Sequence, residues 1–436
     1  MRADTGVLLY GAGREARSTR NFLKTRWPQS KVYVTVDSGG AEIEDAERLA
    51  PDQLDQAIAE GRFGVIVKSP GVSLHKPIFA RAEAAGIDVT SNLNLWGETY
   101  RAGRLVIAIT GTKGKSTTAT LTQLMLAHSG CDAGLAGNVG LAPLDIADRH
   151  KIVVLELSSY QTADMAFLPD LAGITNLSAE HVDWHGSVEQ YYTDKLNLIA
   201  RPGPMAIALG AGAAQSTRVL AALGDPNRLL PLPNAETRAA IASAASGSRL
   251  KGAHNLDNAM LAAQLALGSG ATLDGIVAGI EAFTPLPHRL EEHRFGGIVC
   301  VNDSISTTPE ATKAALAAYT GSRLALIAGG HEREQTYDEL AGLLAGYGVT
   351  TLVCLPVTGP RLAQAARLKA PGLDVIEAPT LEAGMDALAA RRSRFDTVIL
   401  SPGAPSYGQL ERPGVTFTNF EERGRAFVRM AQERFA

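Results

Sequence analysis

The segment Thr110–Thr117, with the sequence TGTKGKST, has the residue types and spacing of a loop that binds nucleotide phosphates. Its glycines allow main-chain N–H groups to point inward, and Lys115 is long enough to contact terminal phosphates. A hydroxyl at Ser116 or Thr117 can bind Mg²⁺. The segment is not a standard P-loop, because Ile109 stands where that pattern has glycine. An ordinary glycine turn with a capping serine is the alternative, but the position between an apolar strand and a helix favours a nucleoside triphosphate site.

A second glycine turn, Gly11-Ala-Gly13, follows the apolar segment Val7–Tyr10 near the start of the chain. Such a turn before a helix can bind a dinucleotide, although Ala16 replaces the third glycine of that pattern. Asp37, at the end of the next apolar segment, could hold a ribose. These residues leave three interpretations open: NAD(P) binding, binding of another nucleotide's diphosphate at the helix N-terminus, and a turn without a ligand.

Carboxylates and imidazoles follow two further apolar segments. Glu156 ends one of them, and residues 176–185 contain two carboxylates and two imidazoles. Each group taken alone is more typical of a surface carboxylate or a structural histidine. Together with a phosphate loop they favour Mg²⁺ binding, because ATP chemistry uses Mg²⁺ that is held by carboxylate oxygens.

Short apolar, β-branched runs alternate with Ala- and Leu-rich segments of helical length, which predicts α/β units with mainly parallel sheets. A new unit opens after Ser91–Asn94 and another near Leu286, so we expect three domains: residues 1–93, 94–285 and 286–436. Strands are predicted at 7–10, 31–36, 63–68, 105–109, 152–156, 171–175, 298–302, 324–328, 351–355, 375–377 and 397–400.

The composition excludes several classes of protein. Of the 436 residues, 45% are hydrophobic and 20% are charged, as in a soluble globular protein. The net charge of -4 offers no basic surplus for a nucleic-acid partner. No apolar run approaches the roughly 20 residues of a membrane helix, and the N-terminal segment does not have the apolar stretch that is typical of a signal peptide. Cys131, Cys300 and Cys354 lack metal-ligand spacing, so we expect a cytoplasmic protein without membrane or nucleic-acid partners.

A series of separated motifs covers nearly the whole chain. They are SPGV at 69–72, GTKGKST at 111–117, GNVG at 137–140, ELSSYQ at 156–161, NLSAEHVDWH at 176–185, YYTDK at 191–195, HNLDN at 254–258, LPHRLE at 286–291, NDS at 302–304 and LSP at 400–402. In kind and order they resemble the motifs of the Mur ligase family, the ATP-dependent enzymes that add amino acids to the peptidoglycan precursor. Within that family, the chain looks most similar to members that add glutamate to UDP-N-acetylmuramoyl-L-alanine.

The resemblance implies an α/β fold of three domains: a Rossmann-like N-terminal domain for the UDP-substrate, a P-loop-type central ATPase domain with a mostly parallel sheet, and a Rossmann-like C-terminal domain for the amino acid. It implies that ATP phosphorylates the terminal carboxylate of UDP-N-acetylmuramoyl-L-alanine, after which the glutamate amine displaces phosphate. We expect a monomer. Because an acyl phosphate is labile in water, we predict closure by the third domain, with hinges near Asn94 and Leu286.

The resemblance also implies the nucleotide and substrate contacts. Those to ATP come from Gly111, Thr112, Lys113, Gly114, Lys115, Ser116, Thr117, Asn255, Asn258, Arg289 and Asp303. Those to the UDP-substrate come from Gly11, Gly13, Arg14, Glu15, Ser18, Asp37, Ser69, Pro70, Gly71, Asn138 and His181. This assignment displaces the NAD(P) interpretation of the N-terminal turn.

Two Mg²⁺ ions and a modified lysine are further implications of the resemblance. The implied metal site consists of Thr117, Glu156, His181 and Lys195. Taken alone, Lys195 is typical of a solvated helix lysine, but in this family CO₂ carbamoylates the matching amine and makes it an anionic ligand. The implied catalytic residues are Lys115, His181, Lys195 and Asp303.

The third domain departs from the D-glutamate-adding members. Their NDSKAT motif reads NDSIST at 302–307, so Ile305 replaces a lysine, and GGHER at 329–333 offers Arg333 where they have a lysine that contacts glutamate. An arginine can grip a relocated carboxylate bidentately, so we expect L-glutamate as the substrate. Drift with retained D-glutamate specificity is the alternative. The expected amino-acid pocket consists of Thr307, Arg333, Ser406, Tyr407 and Phe420.

Two functions of other kinds remain as alternatives. A folylpolyglutamate synthetase-like ligase shares the central domain but has no UDP-binding first domain, so the glycine turn near the N-terminus disfavours it. A non-catalytic nucleotide sensor has no need of a carbamoylated metal ligand, so the presence of Lys115, Glu156, His181 and Lys195 disfavours that function.

Overall fold

The computed structural model describes residues 6–37, 42–203, 205–250, 252–284, 287–332, 335–406, 417 and 419–436. Strands and helices alternate along these residues and form three sheets. The strands are β1 (Gly6–Tyr10), β2 (Val32–Thr35), β3 (Glu47–Arg48), β4 (Phe63–Lys68), β5 (Asp88–Ser91), β6 (Leu105–Thr110), β7 (Ala133–Gly137), β8 (Ile152–Glu156), β9 (Leu171–Ile174), β10 (Ala206–Leu209), β11 (Glu291–Phe295), β12 (Ile298–Asn302), β13 (Leu324–Gly329), β14 (Val349–Leu355), β15 (Asp374–Glu377) and β16 (Thr397–Leu400).

Helices follow most of these strands, as α/β units require. They are α1 (Arg14–Arg26), α2 (Leu54–Ala59), α3 (Pro77–Ala84), α4 (Asn92–Tyr100), α5 (Lys115–His128), α6 (Pro143–Ile146), α7 (Ser159–Asp164), α8 (Val182–His185), α9 (Val188–Ala200), α10 (Ala211–Ala214), α11 (Thr217–Leu223), α12 (Ala235–Gly247), α13 (Ala253–Leu267), α14 (Leu273–Ala282), α15 (Pro309–Ala317), α16 (Asp338–Leu343), α17 (Gly359–Lys369), α18 (Leu381–Ala389) and α19 (Phe420–Phe435). Among the described residues, none of the helices combines the length and apolar character that a membrane span requires.

The first two sheets belong to one compact unit, Met1–Phe283. Their strand orders are β3-β2-β1-β4-β5 and β10-β9-β6-β8-β7, and all of the pairings are parallel. Both faces of a parallel sheet are covered by helices, so β1, β4, β6 and β8 are buried along most of their length. The carboxyl ends of these strands carry the loops in which the sequence predicted binding residues.

The third sheet belongs to a second compact unit, Thr284–Ala436. Its strand order is β11-β12-β16-β13-β14-β15, in which only β11 is antiparallel to its neighbour among the described pairs. Two apolar clusters fill its faces, one of them packed under α19 through Phe427 and Phe435. The predicted α/β fold with mostly parallel sheets and three domains is therefore confirmed.

The contacts of Asn94 disfavour a hinge at this residue, near which one was predicted. Asn94 lies inside α4 and is 5% exposed. Its side chain donates to the Asp164 carbonyl at 2.7 Å and accepts from the Ala166 N–H at 2.8 Å. A hinge residue must absorb a large change in backbone angles, and a residue fixed by these bonds cannot do so. The other predicted hinge, Leu286, lies outside the described residues.

Candidate active site

The phosphate loop connects β6 to α5 at the carboxyl edge of the second sheet. Gly114 has a φ of 83°, and a Cβ there would lie 2.3 Å from the Asn258 Oδ1 atom. Gly111 has a φ of 143°, and its Cβ would collide with the Thr175 hydroxyl. Both positions therefore require glycine, because any side chain would meet both backbone strain and a steric clash.

Contacts from the loop that follows β9 hold the phosphate loop in place. The Lys113 N–H donates to Asn176 Oδ1 at 2.9 Å, and the Thr175 hydroxyl donates to the Lys113 carbonyl at 2.5 Å. The Thr112 hydroxyl donates to the Ser178 carbonyl at 3.0 Å. Because these hydrogen bonds already order its backbone, the loop loses little conformational entropy when it binds phosphate.

The α13 helix brings its amide side chains against the same loop. Asn258 Nδ2 donates to Asn255 Oδ1 at 3.2 Å, and the Thr118 hydroxyl lies 3.5 Å from Asn258 Oδ1. Two asparagines that are far from the loop in sequence thus lie beside Gly114 in the fold. Lys115 at the start of α5 donates from Nζ to the Thr112 carbonyl at 2.9 Å.

Glu156 is the fully buried carboxylate of this site, at the carboxyl end of β8. Its Oε2 atom accepts from the Ser116 hydroxyl at 3.0 Å, and its Oε1 atom accepts from Asn138 Nδ2 at 3.1 Å. Both of these hydrogen-bond donors, the Ser116 hydroxyl and the Asn138 amide, are neutral. A buried oxygen-rich anion of this kind fits a Mg²⁺ ion, which prefers carboxylate and hydroxyl oxygens.

The hydroxyl that meets Glu156 is Ser116, whereas the sequence assigned Thr117 to the metal site. Thr117 is 4% exposed on the next position of α5. Successive helical residues are separated by about 100° around the axis, so the two hydroxyls cannot face the same carboxylate. The loop sequence alone is compatible with either hydroxyl, and the packing of α5 against β8 favours Ser116.

Replacing Ser116 by alanine should lower ATP-dependent turnover by roughly 10–100-fold and raise the Mg²⁺ concentration needed, as expected when a group that orients a metal ligand is removed. Thr117→Ala is the matched control, and it should lower turnover less than Ser116→Ala does. Initial rates measured over a Mg²⁺ titration distinguish the two residues. A larger loss in Thr117→Ala would restore the assignment that was made from the sequence.

Lys195 lies on α9 and is only 2% exposed. Its Nζ atom donates to the Gly111 carbonyl at 2.8 Å and lies 5.1 Å from the centre of the Tyr191 ring. Burial, together with the positive charge of Lys115, lowers the pKa of Lys195 well below its ordinary value. The side chain is therefore no solvated helix lysine but a buried amine beside the phosphate loop.

His181 precedes α8 in a left-handed conformation with a φ of 56°. Its side chain is 43% exposed, and its ring lies 5.1 Å from the Tyr160 ring. Desolvation lowers the pKa of His181 to about 4; the Glu180 charge opposes this shift, and the Lys195 and Lys115 cations add to it. The imidazole is therefore neutral at physiological pH and can act as a ligand or an acceptor.

Three predicted substrate contacts meet at the carboxyl edge of the first sheet. A Cβ at Gly11 would lie 2.5 Å from the Ser69 hydroxyl oxygen. The Asp37 carboxylate accepts from the Tyr10 hydroxyl at 2.6 Å and from Lys76 Nζ at 2.8 Å. These contacts lower the pKa of Asp37 although desolvation opposes them. The carboxylate is thus held ionised and oriented beside the glycine turn.

Arg14 connects this edge to the second sheet. Its guanidinium donates to the Gly140 carbonyl at 2.9 Å and to the Gly137 carbonyl at 2.8 Å. A longer bond of 3.2 Å reaches the Asn138 carbonyl. The side chain therefore holds the turn that presents Asn138 to Glu156.

The assignment of Glu15 and Ser18 to the substrate requires correction, because both side chains face the interior. Glu15 is 7% exposed and accepts from Gln161 Nε2 at 2.8 Å, and burial raises the pKa of Glu15 to about 7. Ser18 is 3% exposed on the inner face of α1. A substrate at the sheet edge cannot reach side chains that the helix turns towards the core.

The second unit contains the remaining predicted residues. Asp303 Oδ2 accepts from the Ser401 hydroxyl at 2.7 Å, and Oδ1 accepts from the Leu290 N–H at 3.2 Å. Burial raises the pKa of Asp303 to about 6, while hydrogen bonds from Ser306 and Ser401 and the charge of Arg289 oppose that shift. Arg333 and Tyr407 lie outside the described residues.

Arg423 on α19 is a residue that the sequence analysis did not single out. Its side chain is buried, with 2% exposure. Nε donates to the Ser304 hydroxyl at 2.9 Å, and Nη2 donates to the Ser304 carbonyl at 2.8 Å. Nη2 also donates to the Ala404 carbonyl. Burial lowers the pKa of Arg423 to about 9. It joins three segments that carry expected amino-acid contacts: the loops containing Thr307 and Ser406, and the start of α19 at Phe420. Its position in the FEERG segment was the signal available in the sequence.

A histidine–aspartate network also escaped the sequence analysis. Asp194 Oδ2 lies 2.6 Å from His185 Nδ1 and 2.8 Å from His75 Nε2. The other ring nitrogen of His185 lies 3.0 Å from the Ser159 hydroxyl. These three side chains are of types that can bind a metal ion. The distances between their polar atoms are those of direct hydrogen bonds, so the two imidazoles and the carboxylate bond each other.

The comparisons with known proteins agree with this geometry. Residues 109–222 match the Mur ligase middle domain. A protein of Xanthomonas euvesicatoria, named UDP-N-acetylmuramoyl-L-alanine--L-glutamate ligase, is 35% identical over 98% of this chain and 94% of its own length. A protein of the same name from a Micromonospora species is 32% identical over 98% of this chain and 96% of its own.

Among solved structures, the UDP-N-acetylmuramate-alanine ligase of Thermotoga maritima is 18% identical, with a TM-score of 0.60 over 98% of this chain and 99% of that one. This likeness concerns the fold. The sequence identity over the whole chain, together with the phosphate loop and its buried carboxylate, shows that the chain belongs to the Mur ligase family of ATP-dependent peptide ligases.

Proposed function

We propose that this ligase adds L-glutamate to UDP-N-acetylmuramoyl-L-alanine with hydrolysis of ATP to ADP and phosphate. The relatives that match along nearly the whole chain carry that activity in their names. The chain's own residues support glutamate with the L configuration, because Ile305 and Arg333 differ from the D-glutamate-adding pattern.

One observation carries the proposal: a buried carboxylate and a buried amine lie beside one phosphate loop. Glu156 is bonded to the first turn of α5 through Ser116, and Lys195 is bonded to the loop through the Gly111 carbonyl. A loop that only bound a nucleotide would have no need for two buried ionisable groups, since each costs desolvation free energy. Chemistry at the terminal phosphate accounts for both groups.

In the first step, the terminal carboxylate of the UDP-substrate attacks the γ-phosphorus of ATP and expels ADP, which forms an acyl phosphate. The Lys115 ammonium neutralises charge that develops on the phosphoryl oxygens. Two Mg²⁺ ions, held by Glu156, a hydroxyl at Ser116 or Thr117, His181 and the carbamoylated Lys195, would add further electrostatic stabilisation. The glycine-rich backbone orients the phosphates through its N–H groups.

Carbamoylation of Lys195 requires a neutral amine, since only the free base has a lone pair that can attack CO₂. The attack forms an N–C bond and releases a proton, so the product is an anion. Burial and Lys115 favour the neutral form of the amine, because both penalise a second positive charge at this place. The resulting group is an anion with oxygen ligands, so it suits a metal cation far better than an ammonium does.

In the second step, the glutamate amine attacks the acyl carbon, and the tetrahedral intermediate collapses with loss of phosphate. The second unit would bind glutamate through Thr307, Arg333, Ser406, Tyr407 and Phe420. Arg423 supports this assignment, because its buried guanidinium joins the Thr307 and Ser406 loops and donates to neutral partners, the Ser304 hydroxyl and the Ser304 and Ala404 carbonyls. The resulting positive potential favours an amino acid that carries two carboxylates.

The stereochemical prediction is tested by supplying ATP, Mg²⁺ and UDP-N-acetylmuramoyl-L-alanine with either enantiomer of glutamate. We expect kcat/KM for L-glutamate to exceed that for D-glutamate by at least ~100-fold, because a site that hydrogen-bonds both carboxylates rejects a misplaced one strongly. Phosphate release gives the rate, and chromatography of the UDP-peptide identifies the product.

Reactions without amino acid and without the UDP-sugar measure background ATP hydrolysis in the same experiment. Equal or faster turnover with D-glutamate would contradict L-specificity and leave the ligase assignment intact. Absence of any new amide with both enantiomers would contradict the proposed substrate.

A further inference from the structure

Trp184 joins the loop that follows β4 to the segment that begins with His181. Its indole Nε1 donates to the Pro70 carbonyl at 3.0 Å, and its own carbonyl accepts from the Ser73 hydroxyl at 2.6 Å. Both bonds link residues more than 100 positions apart, from the first sheet to the second. One residue therefore holds the segment 69–73, here called the β4 loop, at two points.

The indole is itself fixed from its other side. The Tyr160 ring stacks on it with centroids 4.6 Å apart and an interplanar angle of 21°. Lys68 Nζ lies 5.5 Å from the indole centre, and this lysine, 1% exposed, is paired with Asp164 at 3.3 Å. Stacking and a cation–π contact together restrict the indole to one orientation.

The contacts of Trp184 reach the nucleotide site by two routes. Tyr160, which stacks on the indole, also packs its ring 5.1 Å from His181. His75, whose ring contacts the indole edge-on at 5.8 Å, bonds Asp194, the residue before Lys195 on α9. A shift of the indole would therefore move the β4 loop relative to the residues around the γ-phosphate.

We propose that Trp184 is a positioning residue that sets the β4 loop, and with it the reacting carboxylate of the UDP-substrate, against the phosphate loop. The inference rests on the proposed function only in placing a UDP-substrate at the first sheet. In-line attack on phosphorus is sensitive to placement, and a misplacement of about 1 Å can cost ~100-fold in rate. If the contact only stabilised the packing, its loss would lower the thermal stability and would change the kinetic constants for the UDP-substrate and for ATP to the same extent.

Trp184→Phe tests the proposal, because phenylalanine keeps a stacking ring and removes the Nε1–H donor. We expect kcat/KM for UDP-N-acetylmuramoyl-L-alanine to fall about 10-fold, as for loss of one part-buried hydrogen bond, while KM for ATP changes less than about twofold. Ser73→Ala removes the hydrogen bond to the Trp184 carbonyl and should also lower kcat/KM for the UDP-substrate. Trp27→Phe is the matched control, since Trp27 caps α1 at the opposite edge of the first sheet.

Calorimetric binding of the UDP-substrate gives a readout that is independent of turnover, and thermal unfolding reports on folding. The proposal would be overturned if both variants kept wild-type binding and kcat/KM for the UDP-substrate. It would also be overturned if the affinity for ATP fell as much as the affinity for the UDP-substrate. If Trp184→Phe fails to fold, Ser73→Ala decides. A wild-type protein that binds the UDP-substrate without turnover refutes the proposed function alone, and one that does not bind it refutes both.

Discussion

Lys195→Ala should lower ligase turnover by at least ~100-fold, one of the two largest effects expected for a single substitution in this protein. Lys195 lies 2% exposed with Nζ on the Gly111 carbonyl, where no solvent group can take over its role. If a carbamate on this amine is the active form, short carboxylates such as formate or acetate should restore part of the rate by entering the space left by the side chain. Initial rates with and without these acids measure both effects.

Lys151→Ala is the matched control, because Lys151 is an exposed lysine at the opposite edge of the second sheet, before β8. It should keep wild-type turnover and show no response to added acids. A ¹³C NMR signal from ¹³CO₂ in the wild type, absent in Lys195→Ala, would identify the carbamate directly. Unchanged turnover of Lys195→Ala would show that the ligase does not need this amine. A wild-type protein without ligase turnover, together with unchanged ATP binding in Lys195→Ala, would favour the nucleotide sensor.

Glu156→Gln should reduce turnover by roughly 100–1000-fold and raise the Mg²⁺ concentration at half-maximal rate. Glutamine keeps the shape of the side chain and removes the negative charge that Ser116 and Asn138 now surround. The same change should leave the ligand-free protein as stable as the wild type or more stable, because the donors that contact this fully buried carboxylate are neutral and burial of a charge costs desolvation free energy. Activity and stability are therefore expected to move in opposite directions.

Mg²⁺-dependent rates and thermal unfolding in the absence of nucleotide test these two expectations. Glu98→Gln on α4, an exposed position, provides the same chemical change as a control and should alter neither measurement. Wild-type rates in Glu156→Gln at ordinary Mg²⁺ would show that this carboxylate does not hold the metal. A large loss of stability with little loss of rate would make Glu156 a structural residue.

The central strands could be predicted from the sequence because they are buried on both faces. β4, β8, β12 and β16 have the predicted bounds, each as a continuous apolar run. The missed strands, β3, β5, β7, β10 and β11, are outermost strands of their sheets. In β11, exposed and half-buried residues alternate, but four of the five side chains are polar or charged, and in β7 alanine and glycine dominate. Neither pattern has the β-branched composition by which strands are recognised.

In the candidate site, features that depend on adjacent residues could be predicted, whereas those that depend on contacts between distant segments could not. The phosphate loop could be predicted because its glycines, lysine and hydroxyls are adjacent in sequence, and backbone sterics alone restrict what such a segment can do. The choice of Ser116 over Thr117 depends on which side of α5 faces β8. Asp194 and its two histidines, separated by up to 119 positions, meet only through packing.

What the sequence by itself determined, then, is the fold class, the order of the binding loops and the family, since each depends on local pattern or on motifs in series. The tertiary structure decided the state of individual side chains. Lys195 changes from a typical surface lysine to a buried amine, and Glu15 changes from an expected substrate contact to a core carboxyl. The physical reason is that burial, and with it charge state and accessibility, is set by elements distant in the chain that pack over each residue.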